Sequence, residues 1–238
     1  MAQYYTKINT LYKRYGVDES ERNHPLKGCI KEGHFTEPEV EALRELEWEC
    51  TEKIDGTNMS VCLSKNEEGE YDMSVRGKTD KANIPCHLRT KMLEIFNKDE
   101  LLAYFSKDGI PPTDDIEIFG EGYGYKIQRG GNYIPNDVDF ILFDVKIGRF
   151  WLKRDALEHI ASDLGLKIVP LIGYMTIEEA VEYVRKGFKS KIAQNKDYNA
   201  EGLVCKCPFG LLKRDGTRLI TKIKTCDFEE VRKKNALC

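Results

Sequence analysis

The segment DFILFDVKI, residues 139–147, constrains the fold more than any other. Six of its nine residues are apolar. A nearly continuous apolar run of strand length needs cover on both faces, so it predicts a central strand rather than an edge. The neighbours it requires are present. DIEIFGE (115–121) reads as a strand. NMSVCLS (58–64), the turn NEEGE and DMSVR (72–76) read as a β-hairpin. GLVCKC (202–207) and LITKIKT (219–225) read as the last strands. Helix signals lie between them. Thr36 with Glu39 has the spacing of a capping box and predicts a helix over 37–49. HLRTKMLEIFNKDELLAYF (87–105) predicts one or two helices. RDALEHIASDLG predicts a helix stopped at Gly165. Thr176 and Glu179 cap another that ends near Gly187, and Asp227 is placed to cap a short terminal helix. The sum is a mixed α/β (α+β) chain with much antiparallel sheet. No linker divides it, so one domain over residues 1–238 is expected.

Composition closes off other classes. Hydrophobic residues make up 41% and charged residues 32% of 238, enough for a core with a well-solvated surface. No stretch approaches the apolar length of a transmembrane helix, so no membrane partner is expected. The first sixteen residues lack an apolar signal-peptide core, which points to the cytoplasm, or to the host cytoplasm for a viral chain. The eight cysteines include no C-x-x-C pair, and free thiols are the expectation in a reducing compartment. Small buried hydrophobes explain them better than a zinc site built with the four histidines. The net charge of −3 excludes a globally basic protein but not a local basic groove. Residues 37–55 carry eight acids against Arg44 and Lys53, whereas residues 201–238 carry nine Lys/Arg against five acids. Most of these charges read as solvated faces.

Five pieces carry candidate chemistry. In TEKIDGTNMSV, Lys53 is flanked by Glu52 and Asp55 in a glycine-containing turn before a strand. It is either a surface salt-bridge turn or a nucleophilic amine, which must shed its proton to react. Lys222 and Lys224 are two apart on a strand and therefore share a face. They form either a solvated edge or a phosphate clamp whose charge lowers the pKa of a nearby amine. Glu201, at the mouth of an apolar strand, can hold a divalent metal through oxygen. Glu121 closes a strand in a glycine-rich turn, where a carboxylate can accept from a ribose hydroxyl. GEGYG does not have the spacing of a dinucleotide fingerprint. Phe143 is either a core residue or a surface on which a base stacks.

Taken in order, these pieces resemble the covalent nucleotidyltransferase superfamily of ATP-dependent ligases and capping enzymes, and most of all its RNA ligase 2 family. The matching motifs are Lys53-Ile-Asp-Gly-Thr-Asn58, Arg76 in SVRGK, Phe119-Gly120-Glu121, Phe143-Asp144-Val145, the stretch from Glu201 to Lys206, and Lys222-Ile-Lys224. They cover residues 52–224. The resemblance implies the nucleotidyltransferase fold of ATP-dependent ligases, with antiparallel sheets flanked by helices and the nucleotide site between them. It implies ATP and Mg²⁺ (or Mn²⁺) as cofactors, and RNA with 5′-phosphate and 3′-OH ends as partner. Lys53 would form a lysyl–AMP intermediate, and AMP would then pass to the 5′-phosphate before a 3′-OH displaces it. Lys222 and Lys224 would hold phosphate oxygens, and Glu201 would position the metal. Glu52, Glu121, Arg76 and Phe143 would contact the nucleotide, with Phe143 on the adenine. Asn58 and Arg76 would meet nucleic-acid phosphate, and Asp55 would orient the nucleophile turn. Only fourteen residues follow Lys224, so no appended C-terminal domain is expected: the chain would be a minimal ligase, the catalytic domain of a longer protein, or one for which a partner chain or homo-oligomer stands in for that domain. The alternatives are an ATP-dependent DNA nick ligase or an mRNA-capping nucleotidyltransferase of the same superfamily, and, less favoured, a non-catalytic nucleic-acid-binding relative.

Overall fold

Residues 5–79, 82–128 and 133–228 are described by the computed structural model of the chain. In chain order the strands are β1 (Asn9–Thr10), β2 (Tyr12–Arg14), β3 (Ile30–Phe35), β4 (Trp48–Lys53), β5 (Thr57–Lys65), β6 (Tyr71–Gly77), β7 (Ile116–Gly124), β8 (Val138–Ile147), β9 (Phe150–Trp151), β10 (Lys167–Ile168), β11 (Leu171–Met175), β12 (Gly202–Lys206) and β13 (Ile220–Lys224). The helices are α1 (Pro38–Ala42), α2 (Cys86–Ile95), α3 (Lys98–Phe105), α4 (Arg154–Asp163) and α5 (Ile177–Lys186). They gather into two compact units. One holds Tyr5 and Asp55–Val169; the other holds Thr6–Ile54 and the chain from Pro170 onward.

The first unit is built on a sheet of order β10-β8-β7-β5-β6, with β9 paired to β8. All its pairs are antiparallel except β10 with β8. The apolar run around residue 140 is interior, as its composition requires. Alternation along the strands sends Met59, Val61, Leu63, Ile116, Ile118, Phe140, Leu142 and Val145 to one face. There they pack with Leu88 and Met92 of α2, Leu101 of α3, and Leu157 and Ile160 of α4. The expected hairpin forms β5 and β6. The Asn66 side chain closes its turn by accepting from the N–H groups of Glu68 (3.1 Å) and Glu70 (2.9 Å). The 87–105 segment is two helices. Asn97 breaks them, because its side chain accepts from the N–H groups of Asp99 (2.8 Å) and Glu100 (3.2 Å) and so caps α3.

The second unit is built on a sheet of order β1-β13-β12-β4-β11, parallel only at β1–β13. Trp48, Cys50, Leu203, Cys205 and Ile223 line its core face against Ile177, Ala180, Val181 and Val184 of α5. The β2–β3 pair adds Tyr12 and Ile30 to this cluster. Helix α5 has the Thr176/Glu179 capping box and ends at Gly187, as its sequence predicts.

Two expectations are corrected. The Thr36/Glu39 box does not form. The N-cap is Glu37, Pro38 occupies the first turn, and the Thr36 hydroxyl is buried without a hydrogen-bond partner. Proline pre-sets the helical φ, so the helix starts there, and the Thr36 N–H that a box would satisfy already donates to the Leu11 carbonyl at 2.8 Å. It stops at Ala42 because the fully buried Trp48 ring must enter β4, with its indole N–H donating to the Leu43 carbonyl at 3.0 Å. Asp227 is not a cap either. Residues 225–228 are already helical, and its buried carboxylate takes the Arg14 guanidinium at 2.5 Å.

Candidate active site

The register of β4, β12 and β13 places the reactive side chains of the second unit. Lys53 lies opposite Gly202, and Gly202 opposite Lys224. The next row on the same face is Thr51, Val204 and Lys222. Lys53, Lys222 and Lys224 therefore share the face turned away from Cys50, Leu203 and Ile223. Between the two lysines of the first row the sheet carries no side chain, because position 202 is glycine. A Cβ there would lie 2.0 Å from the Ile223 carbonyl oxygen. Glycine thus lets β12 approach β13 and leaves the row open.

Glu201, one residue earlier, reaches both lysines. Its carboxylate oxygens lie 2.5 Å from Lys53 Nζ and 2.7 Å from Lys224 Nζ. The Thr225 N–H donates to the Glu201 carbonyl at 2.9 Å and pins its backbone to the end of β13. Lys53 Nζ also donates to the Ile54 carbonyl at 3.3 Å. Lys53 and Glu201 are mostly buried, with side chains 19% and 16% exposed. Burial pulls the Lys224 pKa down, but the hydrogen bond and charge of Glu201 outweigh it, and the net shift is upward. Lys53 thus meets a carboxylate directly, where the sequence pointed to neighbouring ammonium groups.

Glu52 does not join this cluster. It follows Thr51 and precedes Lys53, so it points to the opposite face of β4. There it is 1% exposed and accepts from the Ser190 hydroxyl and, at 2.8 Å, from the Lys191 N–H. Burial pushes its carboxyl pKa up against these two hydrogen bonds. Ser190 carries no motif signal, and sequence reasoning passed over it.

In the first unit the non-core face of the sheet holds the remaining candidates. Asn58 is opposite Glu121, and Arg76 is opposite Ser60, which is itself opposite Phe119. All lie on the face away from Met59 and Val61, so Asn58, Arg76 and Glu121 are gathered together. Gly56 permits the turn before β5, because a Cβ there would lie 2.3 Å from the Gly122 carbonyl oxygen. The Asp55 N–H donates to the Tyr133 hydroxyl at 3.1 Å.

Phe143 is the extra residue of a β-bulge: Phe119 pairs with Asp144, and Gly120 with Leu142. A bulge re-aims the side chain it carries. The Phe143 ring accordingly lies outside the buried core, half-exposed, with the Tyr5 ring set edge-on at 4.9 Å. Tyr5 donates its hydroxyl proton to the fully buried Asp144 carboxylate at 2.6 Å. The sequence contained no sign of the Tyr5–Asp144 pair, because it joins residues 139 positions apart.

A family model for RNA ligases matches residues 46–224, three quarters of the chain and all six motifs. Among solved structures the chain is similar to a Naegleria gruberi RNA ligase. With pyrophosphate, that protein shares 22% identity and a TM-score of 0.55 over 82% of this chain and 54% of its own. A mutant with ATP and Mn gives 22%, 0.54, 83% and 54%, and a mutant with AMP and Mn gives 22%, 0.55, 83% and 55%. The chain thus spans about half the length of these structures. They establish its nucleotidyltransferase-type α+β architecture of antiparallel sheets with helices. With the motifs in order and the family model covering most of the residues, the chain belongs to the RNA ligase family.

Proposed function

We propose that the protein is an ATP-dependent RNA ligase. It would adenylylate itself on Lys53, transfer AMP to an RNA 5′-phosphate and seal that end to a 3′-OH. The observation that carries this reading is the Lys53–Glu201–Lys224 cluster across Gly202, built from three motifs of the family. Support for the donor and metal comes from the ATP–Mn and AMP–Mn complexes of the similar Naegleria protein.

In the resting ion pair Lys53 is a donor. An amine that attacks phosphorus must present its lone pair, so the contact with Glu201 opens and a proton leaves before a P–N bond forms. Formation of that bond to the α-phosphorus of ATP breaks the bond to pyrophosphate. An oxygen of the RNA 5′-phosphate then displaces Lys53, and the 3′-OH finally displaces AMP. Charge stabilisation and in-line positioning carry most of such catalysis. Lys222 and Lys224 supply charge to phosphate oxygens. Glu121, Arg76 and Phe143 would bind the nucleoside, with Glu52 holding the strand that presents Lys53. Asn58 and Arg76 would meet RNA phosphate, and Asp55 would set the nucleophile turn. Mg²⁺ or Mn²⁺ would be held by Glu201, whose carboxylate oxygens face Lys53 and Lys224 and become available to a cation when the Lys53 contact opens; a carboxylate completed by phosphate and water suits a hard, strongly hydrated cation. When bound, the cation neutralises phosphate charge.

The test is incubation with α-labelled ATP and Mg²⁺, followed by presentation of nicks whose 3′-OH strand is RNA or DNA. Label on Lys53 and faster sealing at an RNA 3′-OH are expected. Equal sealing of all-DNA nicks would make it a DNA ligase, and absence of label would end the reading.

A further inference from the structure

The connection between β12 and β13, residues 207–219, carries an apolar surface that the chemistry above does not use. Phe209 is 84% exposed, with Leu212 at 55% and Leu211 at 41% beside it. Phe209 also sits at φ +63°, a left-handed conformation that is unfavourable for an aromatic residue. The same segment bears Lys213, Arg214 and Arg218 against a single acid, Asp215.

The hairpin is closed by its own hydrogen bonds. The Cys207 N–H donates to the Leu219 carbonyl at 2.9 Å, and the Lys213 N–H to the Thr217 carbonyl at 2.7 Å. Asp215 accepts from the Thr217 N–H at 2.9 Å and from its hydroxyl at 2.6 Å. Lys213 is anchored to Glu37 at 2.7 Å. A pre-organised surface loses little entropy when a ligand docks. The lysine row lies at the Gly202 end of β12, and the hairpin projects from its other end, roughly 17 Å away at ~3.4 Å per residue.

An exposed aromatic ring beside an exposed arginine is the pairing that single-stranded nucleic acid rewards: a base stacks on the ring, and a phosphate meets the cation. A purely aliphatic partner would find no match for the charges. We propose that this hairpin is an RNA-binding element, with Phe209 stacking on an unpaired base of the strand and the exposed Arg214 neutralising a flanking phosphate. This rests on the RNA ligase reading and adds to it a capture site remote from the chemistry.

The experiment measures anisotropy of a fluorescent 5′-phosphorylated single-stranded RNA titrated with the full chain, alongside labelling by α-labelled ATP. Phe209→Ala should weaken RNA binding about tenfold and leave AMP labelling unchanged, whereas Phe209→Trp should bind as the parent does. Arg214→Gln should lower the log–log salt slope by ~0.7. If Phe209→Ala binds RNA as tightly as the parent, or Phe209→Trp is as weak as Phe209→Ala, the proposal is overturned. It also falls if Phe209→Ala changes only the oligomeric state in sedimentation, which would make the patch a protein-docking surface. A parent chain that accepts AMP but binds no RNA removes this proposal together with the RNA substrate. A parent that labels and binds, with Phe209→Ala alike, removes this proposal alone.

Discussion

Lys53 and Glu52 are chemical neighbours with opposite roles, and strand alternation separates them. Lys53→Ala should abolish AMP labelling at a cost in stability of roughly 1–3 kcal/mol, since it removes one mostly buried, charge-assisted hydrogen bond and leaves Glu201 with Lys224. Intact-mass measurement after incubation with ATP, with a melting curve beside it, checks both halves. Ser190→Ala should destabilise by roughly 2 kcal/mol in urea unfolding, because it strips a donor from a buried carboxylate. The Lys224–Glu201 pair gives a pH signature. The folded pKa of Lys224 is raised above its ordinary 10.5, so the native state binds the proton more tightly than the unfolded chain. The stabilisation is therefore complete below about pH 10.5 and fades as pH rises through the higher folded value. Unfolding free energies from pH 8 to 11 should fall more steeply for the parent than for Lys224→Met. Parallel curves would show that the pair contributes nothing to folding.

Elements that rest on local rules follow their sequence closely. The Asn97 break, the Asn66 turn and the α5 capping box each use side chains within four residues of the backbone they satisfy. Thr176→Ala should thus cost about 1 kcal/mol without touching labelling. Strand β12 behaves differently, since its role depends on two partners far away in sequence. Gly202→Ala would drive a methyl group into the Ile223 carbonyl at 2.0 Å, so β12 must separate from β13. This substitution should lose labelling and stability together, well beyond the ~1 kcal/mol typical of a point mutation. A Gly202→Ala chain that labels normally would contradict the role given to the open row.

For the whole molecule, ligand linkage offers the broadest check. ATP with Mg²⁺ at a hundredfold excess over its dissociation constant should stabilise the fold by about 2.7 kcal/mol, and Lys53→Ala should keep most of that shift, because binding precedes the covalent step. The periodicity of short segments sufficed to read the mixed α+β class, the interior position of β8 and the approximate ends of the strands and later helices it named, but it named none of β1–β4 or β9–β11. The order of six motifs sufficed for the family. Those are local or one-dimensional properties, and residue chemistry fixes them directly. Other features belonged to the tertiary structure alone. The helix after Thr36 stopped at Ala42 because burial of Trp48 outcompeted a longer surface helix. Phe143 left the core because a bulge shifted the register of β7 against β8. Glu201 bridges Lys53 and Lys224 because β4 pairs with β12 some 150 residues away, and a one-residue slip in that pairing would turn every side chain to the other face. Register is a property of paired strands, so the chain's linear pattern named the reactive residues, and only the folded sheet decided which of them meet.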